Sequence, residues 1–187
     1  MIITRTTTQL LICALVLMPL ISNAQTCVPY ISASTPDSQF TNNNDGTVTD
    51  IKTGLMWKRC TEGQTFSGGT CTGVPSNQNW QAALQQVKTV NVSGFAGFND
   101  WRLPNINELN SIVEWQCYLP ALNLNVFPDT LARSLWSSSS SSNIDYGNFA
   151  WRAELANTSY SYGASDIHIS LTPKDWTSEM RLVRTVQ

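Results

Sequence analysis

The sequence predicts an α+β domain, an antiparallel sheet with two flanking helices and long loops. Two short β patterns come first, two segments of helical period follow, and three period-two segments close the chain. Nowhere does strand alternate with helix as a parallel βαβ sheet requires. With 187 residues, 42% of them hydrophobic, the chain suits one domain with its own core.

Ten Gly and eight Pro are too few for a collagen-like or low-complexity chain. A net charge of -2 lacks the basic excess that a phosphate-binding surface needs, so nucleic acid is not an expected partner. The same charge gives no electrostatic hold on anionic membrane.

Residues 10–21, LLICALVLMPLI, follow a single charge at Arg5 and end on Ser22-Asn23-Ala24. A short apolar run after a positive start, closing on small residues, reads as a secretory signal peptide cleaved after Ala24. The run is far shorter than the roughly 20 residues that span a bilayer. No membrane insertion is expected after cleavage, and Cys27 lies too far from the cleavage point for a lipid anchor. The destination is the periplasm, the cell surface or the medium. Residues 25–39 form a polar leader, and residues 40–187 form the domain.

Removal of residues 1–24 takes Cys13 away and leaves Cys27, Cys60, Cys71 and Cys117. An even number in an exported chain reads as two disulfides, for which three pairings exist. Cys60 and Cys71 flank the easily bent stretch TEGQTFSGGT, so they are expected to pair with each other. Cys27 and Cys117 would then pin the leader to the end of a helix. A four-cysteine metal site is disfavoured because no pair has C-x-x-C spacing and the only histidine is His168.

In FTNNNDGTVTDIKTGLMWKR, residues 40–59, Asp45-Gly46 is a hairpin-turn dipeptide, and strands are expected at 47–50 and 55–58 around a turn at Lys52-Thr53-Gly54. From Asn79 to Val90, Trp80, Ala83, Leu84 and Val87 recur at helical spacing, with Asn77 or Asn79 able to cap. The glycine-containing SGFAGFND ends that helix. Asn105 and Glu108 then form a capping-box pattern behind Pro104, and Ile106, Leu109, Ile112, Val113 and Gln116 continue with helical period. Residues 118–134 read as a proline-punctuated connection and Ser137 to Ser142 as a surface loop. In the last third, Phe149, Trp151, Ala153 and Leu155 alternate with polar neighbours, as do Ile167, Ile169 and Leu171 and then Met180, Leu182, Arg184 and Val186.

Asp45 to Arg59, DWRLPNINEL at residues 100–109, Phe127-Pro128, LWSSS at 135–139 and RLVR at 181–184 together resemble the Lcl C-terminal domain family, DUF1566, named after a Legionella collagen-like adhesin. The resemblance runs from about Phe40 to the C-terminus. It implies a C-type lectin-like fold, distantly shared with the formylglycine-generating enzyme, with paired termini and a long loop region that carries ligand contacts. It also implies adhesion at the bacterial surface to glycan or protein. The namesake's implied preference for sulfated glycans is in tension with an acidic chain that lacks a collagen-like region.

The serines at 137–142 lack the G-x-S-x-G elbow and the histidine base of a hydrolase. His168, between Ile167 and Ile169, reads as an outward strand residue. The Asn42 to Asp50 stretch puts Thr41 and Lys52 where an EF-hand needs carboxylates, and Leu103-Pro104-Asn105 lacks the residue a C-type lectin calcium site requires. No catalytic residue, cofactor or metal ligand is therefore expected; an enzyme would have to draw on His168, Asp166 or Asp100. The sequons at Asn91 and Asn157 matter only in a host that glycosylates them, and the chiefly bacterial family that the chain resembles implies that they are incidental.

Trp57, Trp80, Trp101, Trp115, Trp136 and Leu103 are expected in the core, with Arg102 held between Asp100 and Glu108. The candidate ligand contacts are Tyr146, Trp151, Tyr160 and Tyr162, with Asn143, Asn148, Asn157 and Asp166 beside them. Flat aromatic faces and amides suit sugar rings or a protein partner. An alternative from another class is a structural subunit of a surface assembly such as a fimbria. Oligomeric state is not read from the sequence.

Overall fold

The computed structural model describes residues 25–142, 144–156 and 169–186. The expected signal peptide lies outside these residues, as do Asn143, Asn157, Tyr160, Tyr162, Asp166 and His168.

In chain order the strands and helices are β1 (Thr26–Cys27), β2 (Phe40–Asn42), β3 (Thr47–Asp50), β4 (Leu55–Lys58), β5 (Gln64–Ser67), β6 (Thr70–Gly73), α1 (Trp80–Ser93), α2 (Ile106–Ser111), β7 (Cys117–Tyr118), β8 (Ser134–Ser140), β9 (Phe149–Glu154), β10 (Ile169–Pro173) and β11 (Val183–Thr185). The architecture is α+β, with antiparallel pairing between every two neighbouring strands. One sheet has the order β11-β4-β3-β2, so the last strand returns beside the early hairpin. A second has the order β10-β9-β8, and β1-β7 and β5-β6 are separate pairs.

β4 explains why the two helices flank the sheet. All four of its residues are buried, and successive side chains point to opposite faces. Leu55 and Trp57 enter a core with Leu109 of α2, Ile112, Phe127, Leu135, Ala153 and Val183. Met56 enters a second core with Ala83 and Val90 of α1, Trp101, Leu103, Trp136, Ala150 and Met180. The sheets thus separate two apolar layers, one under each helix.

Local chemistry sets the element boundaries. The φ of Gly46 is 87°, open to glycine, and Asp45 Oδ1 accepts from the backbone N–H and hydroxyl of Thr47, which ends the β2–β3 turn. The Asn42 to Asp45 run is therefore turn chemistry. Asn79 caps α1 by accepting from Ala82 N, the second of the two expected caps. For α2 the capping box is complete: Asn105 Oδ1 accepts from Glu108 N at 2.9 Å, and Glu108 Oε2 accepts from Asn105 N at 2.8 Å.

Four expectations are corrected. The second helix stops at Ser111 rather than running to Gln116, because Val113 bridges to Leu122 and Glu114 turns inward to bind the leader. Ser137 to Ser140 belong to β8 rather than to a surface loop; Ser137 is buried and donates to Trp151 O, while Ser139 Oγ accepts from Ile106 N at the start of α2. Trp115 is 47% exposed, because the chain has left the helix before reaching it. The alternations in the last third hold only in part. Ala150 is fully buried against the second core, Met180 to Arg184 are buried on both faces, and Val186 is exposed.

The disulfides are Cys27–Cys117 and Cys60–Cys71, the pairing expected from the chain. Cys117 sits in β7 and joins its strand partner rather than a helix end. The stretch between Cys60 and Cys71 forms the β5–β6 hairpin.

Arg102 forms a two-pronged bond to Glu108, 2.7 Å on each prong, but Asp100 is not part of that corner. Asp100 instead takes the Arg184 guanidinium at 2.7 and 3.2 Å, and that bond holds its carboxyl below the usual range. Glu108 thus closes the cap and anchors Arg102 together. Glu108→Ala is expected to destabilise the domain by about 1 to 2 kcal/mol in denaturant unfolding, and Arg102→Ala, which leaves the cap in place, by less.

Candidate functional site

Cross-strand register places Ser134 of β8 opposite Glu154 of β9, Trp136 opposite Arg152, and Arg152 opposite Ser170 of β10. Residues opposite one another share a face, so this face is apolar at Trp136 and polar towards Glu154. The polar end is a connected network. Arg152 Nε donates to Glu154 Oε1 at 2.6 Å and to Ser170 Oγ at 3.2 Å, and its Nη1 donates to Ser178 Oγ at 3.2 Å. Ser170 Oγ also donates to Glu154 Oε1, and Ser134 Oγ lies 3.2 Å from Ser178 Oγ.

The segment before β11 closes over this end. Glu179 N donates to Ser134 O and Trp136 N donates to Glu179 O. Between that segment and the sheet lies a pocket of about 220 Å³, lined by Asn77, Arg133, Ser134, Glu154, Ala156, Thr177, Ser178 and Glu179. Ser178 and Glu179 are its buried wall, whereas Asn77, Arg133 and Thr177 stand exposed at the rim.

Glu179 is the unusual member. It is 1% exposed, and its Oε1 accepts no hydrogen bond from the described residues. The nearest cationic group on the rim, Arg133 Nε, is 3.6 Å from Oε1, beyond hydrogen-bond reach. Burial pushes the Glu179 carboxyl up, and the charges of Arg133 and Arg181 pull it only part of the way back. A buried acceptor without a donor costs free energy, which the nearby charge of Arg133 offsets only in part.

A larger groove of about 490 Å³ runs between the leader and residues 114–125. Its carboxylates are already engaged: Glu114 accepts from Ser34, Thr35 and Gln116, and Asp37 accepts from Asn123 and Asn125. The groove therefore reads as a seam of the fold. Among the described residues no three His, Cys, Asp or Glu side chains gather as metal ligands, and no helix is long and apolar enough to cross a membrane.

The aromatic contacts expected from the sequence fall elsewhere. Tyr146 is 47% exposed and stacks edge-on against Phe149 at the start of β9, with ring centroids 5.4 Å apart. The pocket is at the other end of that strand, five residues or about 17 Å away. Trp151, an odd position in β9, is half-buried on the face opposite Arg152 and Glu154. Sequence reasoning missed Arg133, Arg152, Glu154 and Glu179. The available signal was a carboxylate beside Met180 and Leu182, where the apolar pattern promises burial.

No curated protein matches this sequence. The family model described as Lcl C-terminal domain matches residues 46–184, from the β2–β3 turn into β11. A match over most of the chain, carrying the early hairpin, the capped helix and the returning strand, makes this protein a member of the Lcl C-terminal domain family.

Proposed function

We propose that this protein is an exported, non-enzymatic binding module of C-type lectin-like architecture that attaches to glycan or protein at the bacterial surface. The observation that carries this reading is the open pocket beside β8 and β9, lined by guanidinium, carboxylate, hydroxyl and amide groups. Such a wall provides directional hydrogen bonds, which is what recognition of a polar ligand requires. Two disulfides fit an oxidising compartment, and membership of a family named after an adhesin agrees with attachment. Tyr146 and Trp151 lie too far round the sheet to share one small ligand with Glu179, so their part is that of outlying contacts to an extended partner.

The test uses the disulfide-intact chain on immobilised glycans and on immobilised host matrix proteins. Retention on one of these surfaces is expected, reduced by Glu179→Gln. No retention on either, with co-purification of a pilus or fimbrial subunit, would replace this reading with a structural role in a surface assembly.

A further inference from the structure

We propose that a second pocket, floored by Arg59, binds a single carboxylate carried on a short apolar stem. It lies against β2 and β3 of the four-stranded sheet, and it stands independently of the pocket beside β8 and β9.

Charge gives the first argument. Arg59, the residue after β4, is 7% exposed and forms no ion pair with any described residue. The other described arginines each have an acidic group to face: Glu108 for Arg102, Glu179 for Arg133 and Arg181, Glu154 for Arg152 and Asp100 for Arg184. Burial lowers the Arg59 guanidinium with no acidic charge set against it, and its own charge weighs on Arg181. A carboxylate in the pocket supplies the missing counter-charge to a cation that the fold has already desolvated.

The second argument is an open donor. Arg59 Nε donates to Val126 O and Nη2 to Asn125 O, each at 2.9 Å, and the guanidinium lies over the Phe66 ring. Nη1 donates to no described residue. Unlike Arg181 Nε, which is sealed from solvent, Nη1 keeps contact with it.

Shape gives the third. The pocket holds about 170 Å³, and an apolar cavity of roughly 150 Å³ accommodates benzene, so a ligand of about six heavy atoms fits. Val48 and Val126, both buried, and the partly buried Phe40 surround the guanidinium and offer the stem an apolar wall. Asp37 stands exposed at the mouth, its carboxylate already taken by the Asn123 and Asn125 amides. Its charge disfavours a ligand with two negative groups, and an inorganic anion leaves the apolar wall unused.

The experiment is an NMR titration of the disulfide-intact, ¹⁵N-labelled chain with sodium butyrate at constant ionic strength, following the Arg59 Nε–H and the Val48 and Val126 amides. Saturable shifts at roughly millimolar concentration are expected. Acetate and succinate should bind more weakly, and sulfate and butyramide should give no shift. N-acetylglutamate α-amide carries the same group on a peptide unit: tighter binding than butyrate assigns the site to a side chain of another protein, weaker binding to a free short-chain acid.

Arg59→Met should abolish the shifts. Asp37→Asn, which removes the like charge at the mouth and keeps an acceptor for the amides, should tighten butyrate about threefold. If Arg59→Met does not fold, Asp37→Asn decides alone. Silence towards both carboxylates overturns the proposal, as does binding that survives in folded Arg59→Met or an affinity that Asp37→Asn fails to raise. Sulfate or butyramide binding as tightly as butyrate overturns the ligand class and with it the site's assignment.

Discussion

Arg181→Ala is expected to cost about 4 kcal/mol of folding free energy and to lower Tm by roughly 10 °C. The side chain is completely buried where β4, the β8 approach and the C-terminal segment meet. Nη1 donates to both Lys58 O and Arg59 O at the end of β4, Nη2 donates to Thr130 Oγ1 at 2.7 Å, and Nε is buried without an acceptor among the described residues. The plane lies over Phe127, 4.7 Å from the ring centre. Burial lowers the guanidinium to about 9, and only Glu179 and Glu62 offset that penalty. Alanine would therefore take away a donor from two backbone carbonyls and from the Thr130 hydroxyl, open a void beside Phe127 and leave Glu62 and Glu179 with only Lys58 and Arg133 as counter-charges. Arg181→Lys should fall nearly as far, since a single ammonium does not reproduce the fork that reaches both β4 and Thr130. Thermal unfolding of the disulfide-intact protein is the measurement. A loss of less than about 1 kcal/mol for alanine would mean that the clamp contributes nothing beyond its packing.

What the sequence made legible follows from how local each interaction is. The turn into β3 and both helix caps are set by residues a few positions apart, such as Asp45 with Thr47 or Asn105 with Glu108. The serine tract was not legible, because its strand character comes from Trp151 O and Ile106 N, groups far along the chain. The same holds for Trp115, whose exposure depends on Glu114 leaving the helix to meet Ser34 and Thr35. The pocket is the extreme case. It is assembled from the rim of α1, the start of β8, the end of β9 and the segment before β11. Aromatic and amide composition therefore pointed to Tyr146 and Trp151, while the convergent polar groups lay at the other end of the same strand.

Glu114→Ala is expected to release the leader and to cost about 3 kcal/mol. Residues 25–39 have little apolar surface of their own, and polarity alone would leave them loose. They are held because a buried carboxylate accepts from Ser34 N at 2.9 Å, Thr35 N at 2.8 Å and Gln116 N at 2.9 Å, as well as from the Thr35 hydroxyl at 2.8 Å. Alanine removes the acceptor for three backbone donors at once, and Thr35 is 2% exposed, so water reaches it poorly. The Cys27–Cys117 bond would still tether the chain. Release should therefore appear as rapid amide exchange and new protease cleavage between residues 28 and 39, with the two cores protected. The wild type should show the same loosening in acid. Burial alone would raise the Glu114 carboxyl, but the hydrogen bonds from Ser34, Gln116 and Thr35 outweigh it and hold the group below its ordinary value. A carboxylate depressed in the folded state contributes stability that is present above its unfolded pKa, roughly 4.3 for Glu, and that is lost as pH falls through the lower folded value. Amide protection at Ser34 and Thr35 should thus decline below about pH 4, whereas Glu114→Gln should show weakened protection already at neutral pH and little further change in acid. Full protection of the leader in Glu114→Ala would show that the disulfide and the β1–β7 pairing hold it unaided.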